Sequence, residues 1–196
     1  MRALEKAYYE RRAAEYDDWW LGTGLFAERD RPGWQTEVEA LIRVVDGLPP
    51  ARVLDVACGT GFLTRHLRGE VTGVDQSEAM LEIAGARLHG ARVVRADVPP
   101  LPFADHEFER VFTSHFYGHL EDPLRTQFLA EARRAGGELI VVDSAGADRA
   151  ERQRRRLNDG SEHEVYKRWF RPETLAAELG GGETLFAGDW FVAVRA

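Results

Sequence analysis

Strand and helix signals that alternate from Arg52 onward predict an α/β fold. The expected core is a doubly wound, mostly parallel sheet of seven strands that ends in a C-terminal antiparallel hairpin. Three observations carry this. Short apolar runs recur between helical stretches and are continuous, as in strands covered on both faces. The first run ends in a glycine-bearing turn, Cys58-Gly59-Thr60-Gly61. The last two runs flank Gly188-Asp189, the signal of a two-residue hairpin turn.

Taken in order, residues 1–47 read as helix and carry Tyr8, Tyr9, Tyr16, Trp19, Trp20, Phe26 and Trp34. Arg52 to Val56 reads as a buried strand, Phe62 to Leu67 as a helix stopped by Gly69, and Val71 to Asp75 as a second strand. Ser77 is placed to cap a helix over Glu78 to Leu88. Ala91 to Arg95 and Arg110 to Ser114 give the third and fourth strands. Asp122-Pro123 starts a helix that Gly136-Gly137 stops, and Glu138 to Asp143 is the fifth strand. Pro172 to Leu179 is a further helix, and Glu183 to Ala187 and Trp190 to Arg195 form the hairpin.

The 196 residues fit one domain, with 1–48 as a helical cover, 49–145 as a ligand-binding core and 146–196 as lid, helix and C-terminal hairpin. Hydrophobic residues make up 44% and charged residues 30%, enough to bury a core. A charged N-terminus without an apolar stretch gives no secretory signal, and there is no run of 18 apolar residues, so a cytoplasmic protein without a membrane partner is expected. The net charge of −7 argues against a nucleic-acid partner, which needs a basic face. Cys58 is the single cysteine and reads as a small buried residue. The cations are lopsided, 24 Arg against 2 Lys. Arg152 to Arg156 reads first as a solvated helix face and second as an anion-binding patch.

The sharpest chemical signal is Val53-Leu54-Asp55-Val56-Ala57-Cys58-Gly59-Thr60-Gly61. Glycines at i and i+2 let a ligand press on the main chain where a strand ends. Asp75 ends the second strand twenty residues after Asp55, where an acid can accept from both hydroxyls of a ribose. A nucleoside-containing ligand is therefore expected. Thr64 replaces the third glycine of a dinucleotide fingerprint, which weakens a nicotinamide reading.

This segment resembles motif I of the class I S-adenosylmethionine-dependent methyltransferases, in their small-molecule branch, and the similarity runs over about residues 50–145. Val71 to Ser77 resembles the family's second motif, Ala96-Asp97-Val98 with Leu101-Pro102-Phe103 its adenine-binding stretch, and Phe108 to His119 its fourth-strand segment. The resemblance implies a Rossmann-like sheet and S-adenosylmethionine as cofactor, with S-adenosylhomocysteine as product. It implies that Gly59, Gly61 and the Ala57 carbonyl meet the amino-acid end of the cofactor, with Asp55 holding the loop or the ammonium. Asp75 would bind the ribose, Gln76 and Met80 would flank the adenine, and Asp97 and the Val98 amide would read its edge. Ser114 and His115 would lie beside the sulfonium, and Tyr8, Arg12 or Tyr16 near the carboxylate.

His115, Tyr117 and His119 are the candidate catalytic residues, lining an acceptor site and including a candidate general base. No metal site is expected. Acceptor contacts are also expected from Ala145 to Phe170, which holds Asn158, Glu162, His163, Tyr166, Lys167 and Trp169. The expected partner is a small-molecule acceptor, with the chain a monomer or homodimer. Two rival readings remain: a NAD(P)-binding oxidoreductase and a non-catalytic S-adenosylmethionine-binding protein.

Overall fold

The computed structural model describes residues 3–196, with side chains from residue 7 onward. Nine strands follow in chain order: β1 (Ala51–Val56), β2 (Gly69–Asp75), β3 (Arg92–Arg95), β4 (Phe108–Ser114), β5 (Gly136–Ser144), β6 (Arg149–Arg156), β7 (Glu162–Trp169), β8 (Glu183–Ala187) and β9 (Phe191–Arg195). The helices are α1 (Ala3–Arg12), α2 (Asp18–Leu21), α3 (Trp34–Asp46), α4 (Glu78–Arg87), α5 (Asp122–Ala135) and α6 (Pro172–Glu178). Seven strands form one sheet in the order β3-β2-β1-β4-β5-β9-β8. The first five are parallel, and β9 and β8 add an antiparallel edge. This is the expected Rossmann-like sheet.

Alternation along each strand divides the interior. Leu54, Val56, Val111, Leu139, Val141, Val192 and Val194 pack on one face, against Phe128 and Ala132 of α5 and Leu175 of α6. Val53, Phe112, Ile140, Val142, Phe191 and Ala193 face the other way, against Trp34, Val38, Leu41 and Val45 of α3. Both faces are apolar because both are covered, so the strands read as unbroken hydrophobic runs.

Four expectations need correction. The N-terminal segment is not one helix: α1, α2 and α3 are separated by one-turn 3-10 pieces, and Gly22, Gly24 and Gly33 sit at positive φ between them. Phe62 to Leu67 forms only one 3-10 turn, Thr64–His66, because Leu67 is already extended at ψ 142°. The hairpin connection spans Gly188 to Trp190 rather than two residues, with the Gly188 amide donating to the Phe191 carbonyl at 2.9 Å.

The largest miss is the segment around Arg152 to Arg156, read as a helix face. Residues 149–169 form a separate antiparallel pair, β6 with β7. Val165 and Lys167 are buried on alternate positions of β7, and the arginine run lies on β6, not on a helix. Asn158, Asp159 and Gly160 make the turn, with the Ser161 amide donating to Asp159 Oδ1 at 2.8 Å. Charged side chains on a separate hairpin hide the period-2 pattern that apolar residues would have revealed.

Candidate active site and cofactor cleft

The parallel strands end on one rim of the sheet, at the switch point where strand order reverses between β1 and β4. A narrow cleft of about 40 Å³ opens there, walled by Ala57 after β1, Asp75 at the end of β2, Val98 after β3 and Ser114 at the end of β4. Gly59, Gln76 and Met80 complete the side towards α4, and Tyr16 roofs it. Ala57 and Gly59 have φ of 58° and 54°. A Cβ on Gly59 would stand 3.7 Å from the Tyr16 ring and 4.0 Å from Met80 Sδ, within the space the cleft uses.

Asp75 organises this rim. Its Oδ2 accepts the Gly59 amide and its Oδ1 the Ser77 amide, each at 2.9 Å. Burial raises its carboxyl above the usual range, and the Ser77 and Gly59 amides oppose the rise. Ser77 in turn caps α4 by accepting from the Met80 amide at 3.2 Å. Asp55 stands behind the loop rather than in the cleft. It is 1% exposed, accepts from Thr64 Oγ1 at 2.5 Å, and its Oδ1 has no partner. Burial pushes its pKa up to about 7. Gly61 also turns away from the cleft: a Cβ there would stand 3.1 Å from Leu88. Its role is the turn, in which its amide donates to the Cys58 carbonyl at 2.9 Å.

Of the other expected cofactor contacts, Gln76, Met80, Val98, Ser114 and Tyr16 line the cleft. Asp97 is exposed and lies outside that lining. Tyr8 and Arg12 face a second, larger cavity instead. Both are buried, and Arg12 Nη1 donates to the Tyr8 hydroxyl at 2.5 Å. Sequence reasoning missed Tyr9, which lines both spaces. It also missed Asp17, which accepts from Thr60 Oγ1 at 2.6 Å and pairs with Arg87 at 2.5 Å, tying the N-terminal segment to the glycine loop.

The second cavity has a volume of about 970 Å³ and lies between the N-terminal segment and the β6–β7 hairpin. Tyr9, Tyr16, His115 and His119 line both it and the narrow cleft. His115 follows β4 at φ 52° and is packed edge-on between Trp19 and Trp20, at 4.6 and 5.0 Å between ring centres. Its Nδ1 lies 3.5 Å from Ser144 Oγ, and its buried Nε2 has no partner. Burial, with Lys167 nearby, lowers its pKa to about 3, so the ring is neutral. His119 Nδ1 donates to the Tyr166 carbonyl at 2.6 Å, which leaves Nε2 as an acceptor. Burial and Lys167 hold His119 well below the ordinary histidine range as well.

Tyr117 does not belong to this site. Its side chain is 1% exposed, packs on Phe128 and Phe170, and donates to Glu178 Oε2 at 3.1 Å. The 3-10 turn Tyr117–His119 points it away from His115. Beneath the histidines, buried Asp143 accepts from Lys167 Nζ at 2.6 Å and from the Gly118 and Ser144 amides at 2.7 Å. Burial alone would raise the Asp143 carboxyl, but Lys167 and these donors hold it below the usual range.

Comparisons with known proteins agree with this geometry. A family described as "Methyltransferase domain" matches residues 53–136, from β1 to the start of β5. The structure of a DhpI–SAH complex superposes with a TM-score of 0.74 at 26% identity, covering 96% of this chain and 92% of that one. From β1 to the start of β5 the chain is similar to the class I S-adenosylmethionine-dependent methyltransferases. Demethylmenaquinone methyltransferase of Thermotoga maritima is 35% identical over 118 residues, 56% of this chain and 49% of that protein. The chain thus spans about half the length of the curated relatives it matches. A DhpI–SAM–HEP complex shares the fold, with a TM-score of 0.76 at 24% identity over 98% of this chain and 95% of that one. S-adenosylmethionine is the cofactor of the family fold, and the residues present fit it: a carboxylate at Asp75, an apolar slot at Met80 and Val98, and bare backbone at Gly59. No described helix is long and apolar enough to cross a membrane.

Proposed function

We propose that this protein transfers a methyl group from S-adenosylmethionine to a small-molecule acceptor. The observation that carries the reading is the wall shared by the two cavities: Tyr9, Tyr16, His115 and His119 face both the nucleoside-type cleft and the larger chamber. A group transferred between two ligands has to cross such a wall. The relatives named demethylmenaquinone methyltransferases support an organic small-molecule acceptor.

Bound cofactor supplies a methyl group already activated by the positive sulfur. Asp75 orients the ribose, Met80 and Val98 flank the base, and the Ala57–Gly59 backbone takes the amino-acid end. Ser114 and His115 stand where the two ligands meet. The protein's part is alignment and exclusion of water, which the Trp19, Trp20 and Tyr16 rings provide.

Calorimetric titration with S-adenosylmethionine and S-adenosylhomocysteine, with NAD and NADP as controls, tests the reading. Binding of the first pair alone is expected. A nicotinamide signal, or silence from the first pair, overturns it.

A further inference from the structure

The larger cavity has the wrong charge for the chain that builds it. Eight arginine and lysine side chains and three carboxylates line it, in a protein whose net charge is −7. Of the three carboxylates, Glu15 accepts the Asn158 amide at 2.9 Å, and Glu151 neutralises Arg149, one of the eight cations, at 2.7 Å. Arg12 is 6% and Lys167 4% exposed, with Lys167 also donating to Asp143 at 2.6 Å, and Arg155 is half-buried. Arg12 rests on the Tyr8 and Tyr16 rings, 5.5 and 5.0 Å from their centres, and donates to the Tyr8 hydroxyl. Arg155 donates to Gln153 Oε1 at 3.0 and 3.3 Å. Among the described residues, neither arginine has a carboxylate within ion-pair distance. For Arg12, burial against rings and a hydroxyl is costly unless an anion completes it.

A second observation concerns the shared wall. His115 and His119, the bases nearest the cofactor cleft, are held neutral with little affinity for a proton. His115 Nε2 is buried and unpartnered. An alcohol or phenol would need a stronger base than these rings to give up its proton. An acceptor that arrives already ionised would not.

We propose that the acceptor is a small molecule bearing an oxyanion, a carboxylate or phosphoryl group, held by Arg12, Arg155 and Lys167 and methylated on oxygen. This rests on the methyltransferase reading and specifies its substrate class. The acceptor oxygen forms the new bond to the methyl carbon as the carbon–sulfur bond breaks, with its electron pair left on sulfur. The products are a methyl ester and a neutral thioether. No proton moves, and the negative charge of the acceptor cancels the positive charge of the sulfur.

The test is calorimetric and needs no turnover. Inorganic phosphate, benzoate and phenol are titrated into the full chain at constant ionic strength, with and without S-adenosylhomocysteine, and into Arg155→Gln and Arg155→Lys. Saturable binding of phosphate or benzoate is expected, with phenol weaker. Arg155→Gln should weaken the oxyanion about tenfold, the scale of one charge-assisted contact, and leave S-adenosylhomocysteine affinity unchanged. Arg155→Lys should restore part of it. Preference for phosphate or for benzoate separates the phosphoryl from the carboxylate source. Phenol binding as tightly as both anions, no anion binding, or anion affinity indifferent to Arg155 overturns the proposal. Loss of S-adenosylhomocysteine binding by the unaltered protein would instead sink the cofactor assignment, and the anion titrations without it still decide the charge of the chamber.

Discussion

The Gly59 amide donates to Asp75 Oδ2 at 2.9 Å, so the loop after the first strand and the acid ending the second are one unit. Asp75 therefore has two duties, holding the loop and presenting its remaining lone pairs to the cleft. Asp75→Ala is expected to weaken S-adenosylhomocysteine binding by about 1–3 kcal/mol, the scale of hydrogen bonds to a charged group. Asp75→Asn, which keeps an acceptor oxygen for one of the two amides, should lose less. Calorimetry on both variants checks the order, and equal affinity in all three proteins refutes the ribose role.

His115→Ala should reduce turnover more than S-adenosylhomocysteine affinity, because the ring stands on the acceptor side of the wall as well as the cofactor side. The pH–rate profile of the unaltered enzyme should show no inflection near 6.5 from this group. Its folded pKa is lowered to about 3, so the unfolded chain takes up a proton first as the solution is acidified. Stability from this residue is thus lost as pH falls from about 6.5 towards 3. His115→Phe should flatten the urea midpoint over that range.

Asp55 has the opposite sign. Its folded pKa is raised from 3.8 to about 7, so its contribution is complete below 3.8 and is lost as pH rises through 7. The loss amounts to at most about 4 kcal/mol by the conversion of pKa shift to free energy. Asp55→Asn should remove that dependence, read as urea midpoints at pH 4, 5.5 and 7. Parallel curves for the two proteins would show that the carboxyl is not the buried neutral acid its unpartnered Oδ1 indicates.

Lys167 and Asp143 form a buried pair, 4% and 0% exposed. Lys167→Met should destabilise by about 3–5 kcal/mol, because it leaves a buried carboxylate without its cation. Adding Asp143→Asn should recover part of that loss. A double-mutant cycle in urea measures the coupling, and strict additivity would deny the pair any mutual support.

The parallel core was legible because it is built from local signals. Strand β1, the glycine turn, Asp75 and the Ser77 cap each announce themselves within a few residues. The motif resemblance likewise placed Ala57, Gly59, Gln76, Met80, Val98 and Ser114 on one cleft. What failed depended on distant partners. Tyr117 sits two residues from His115, but a single 3-10 turn sends it to Glu178. Gly61 matches the motif yet packs on Leu88, and Asp17 joins the loop from 43 residues away through Thr60. The β6–β7 pair was hidden because its strands carry charge where a core strand carries valine.

The Glu37 carboxylate accepts the Asp189, Trp190 and Phe191 amides at 2.8, 3.0 and 3.3 Å, so α3 is riveted to the far edge of the sheet. The preceding segment is held by polar contacts through Glu10, Asp17 and Glu15 and by Trp20, which is 1% exposed and stacks on Phe62 and Phe191. Ligand chambers usually enclose about 300–1,000 Å³, far more than the cleft beneath Tyr16. A nucleoside fits beneath it only where the Tyr16 ring gives way, for the Glu37 clamp and the buried Trp20 fix what lies on either side.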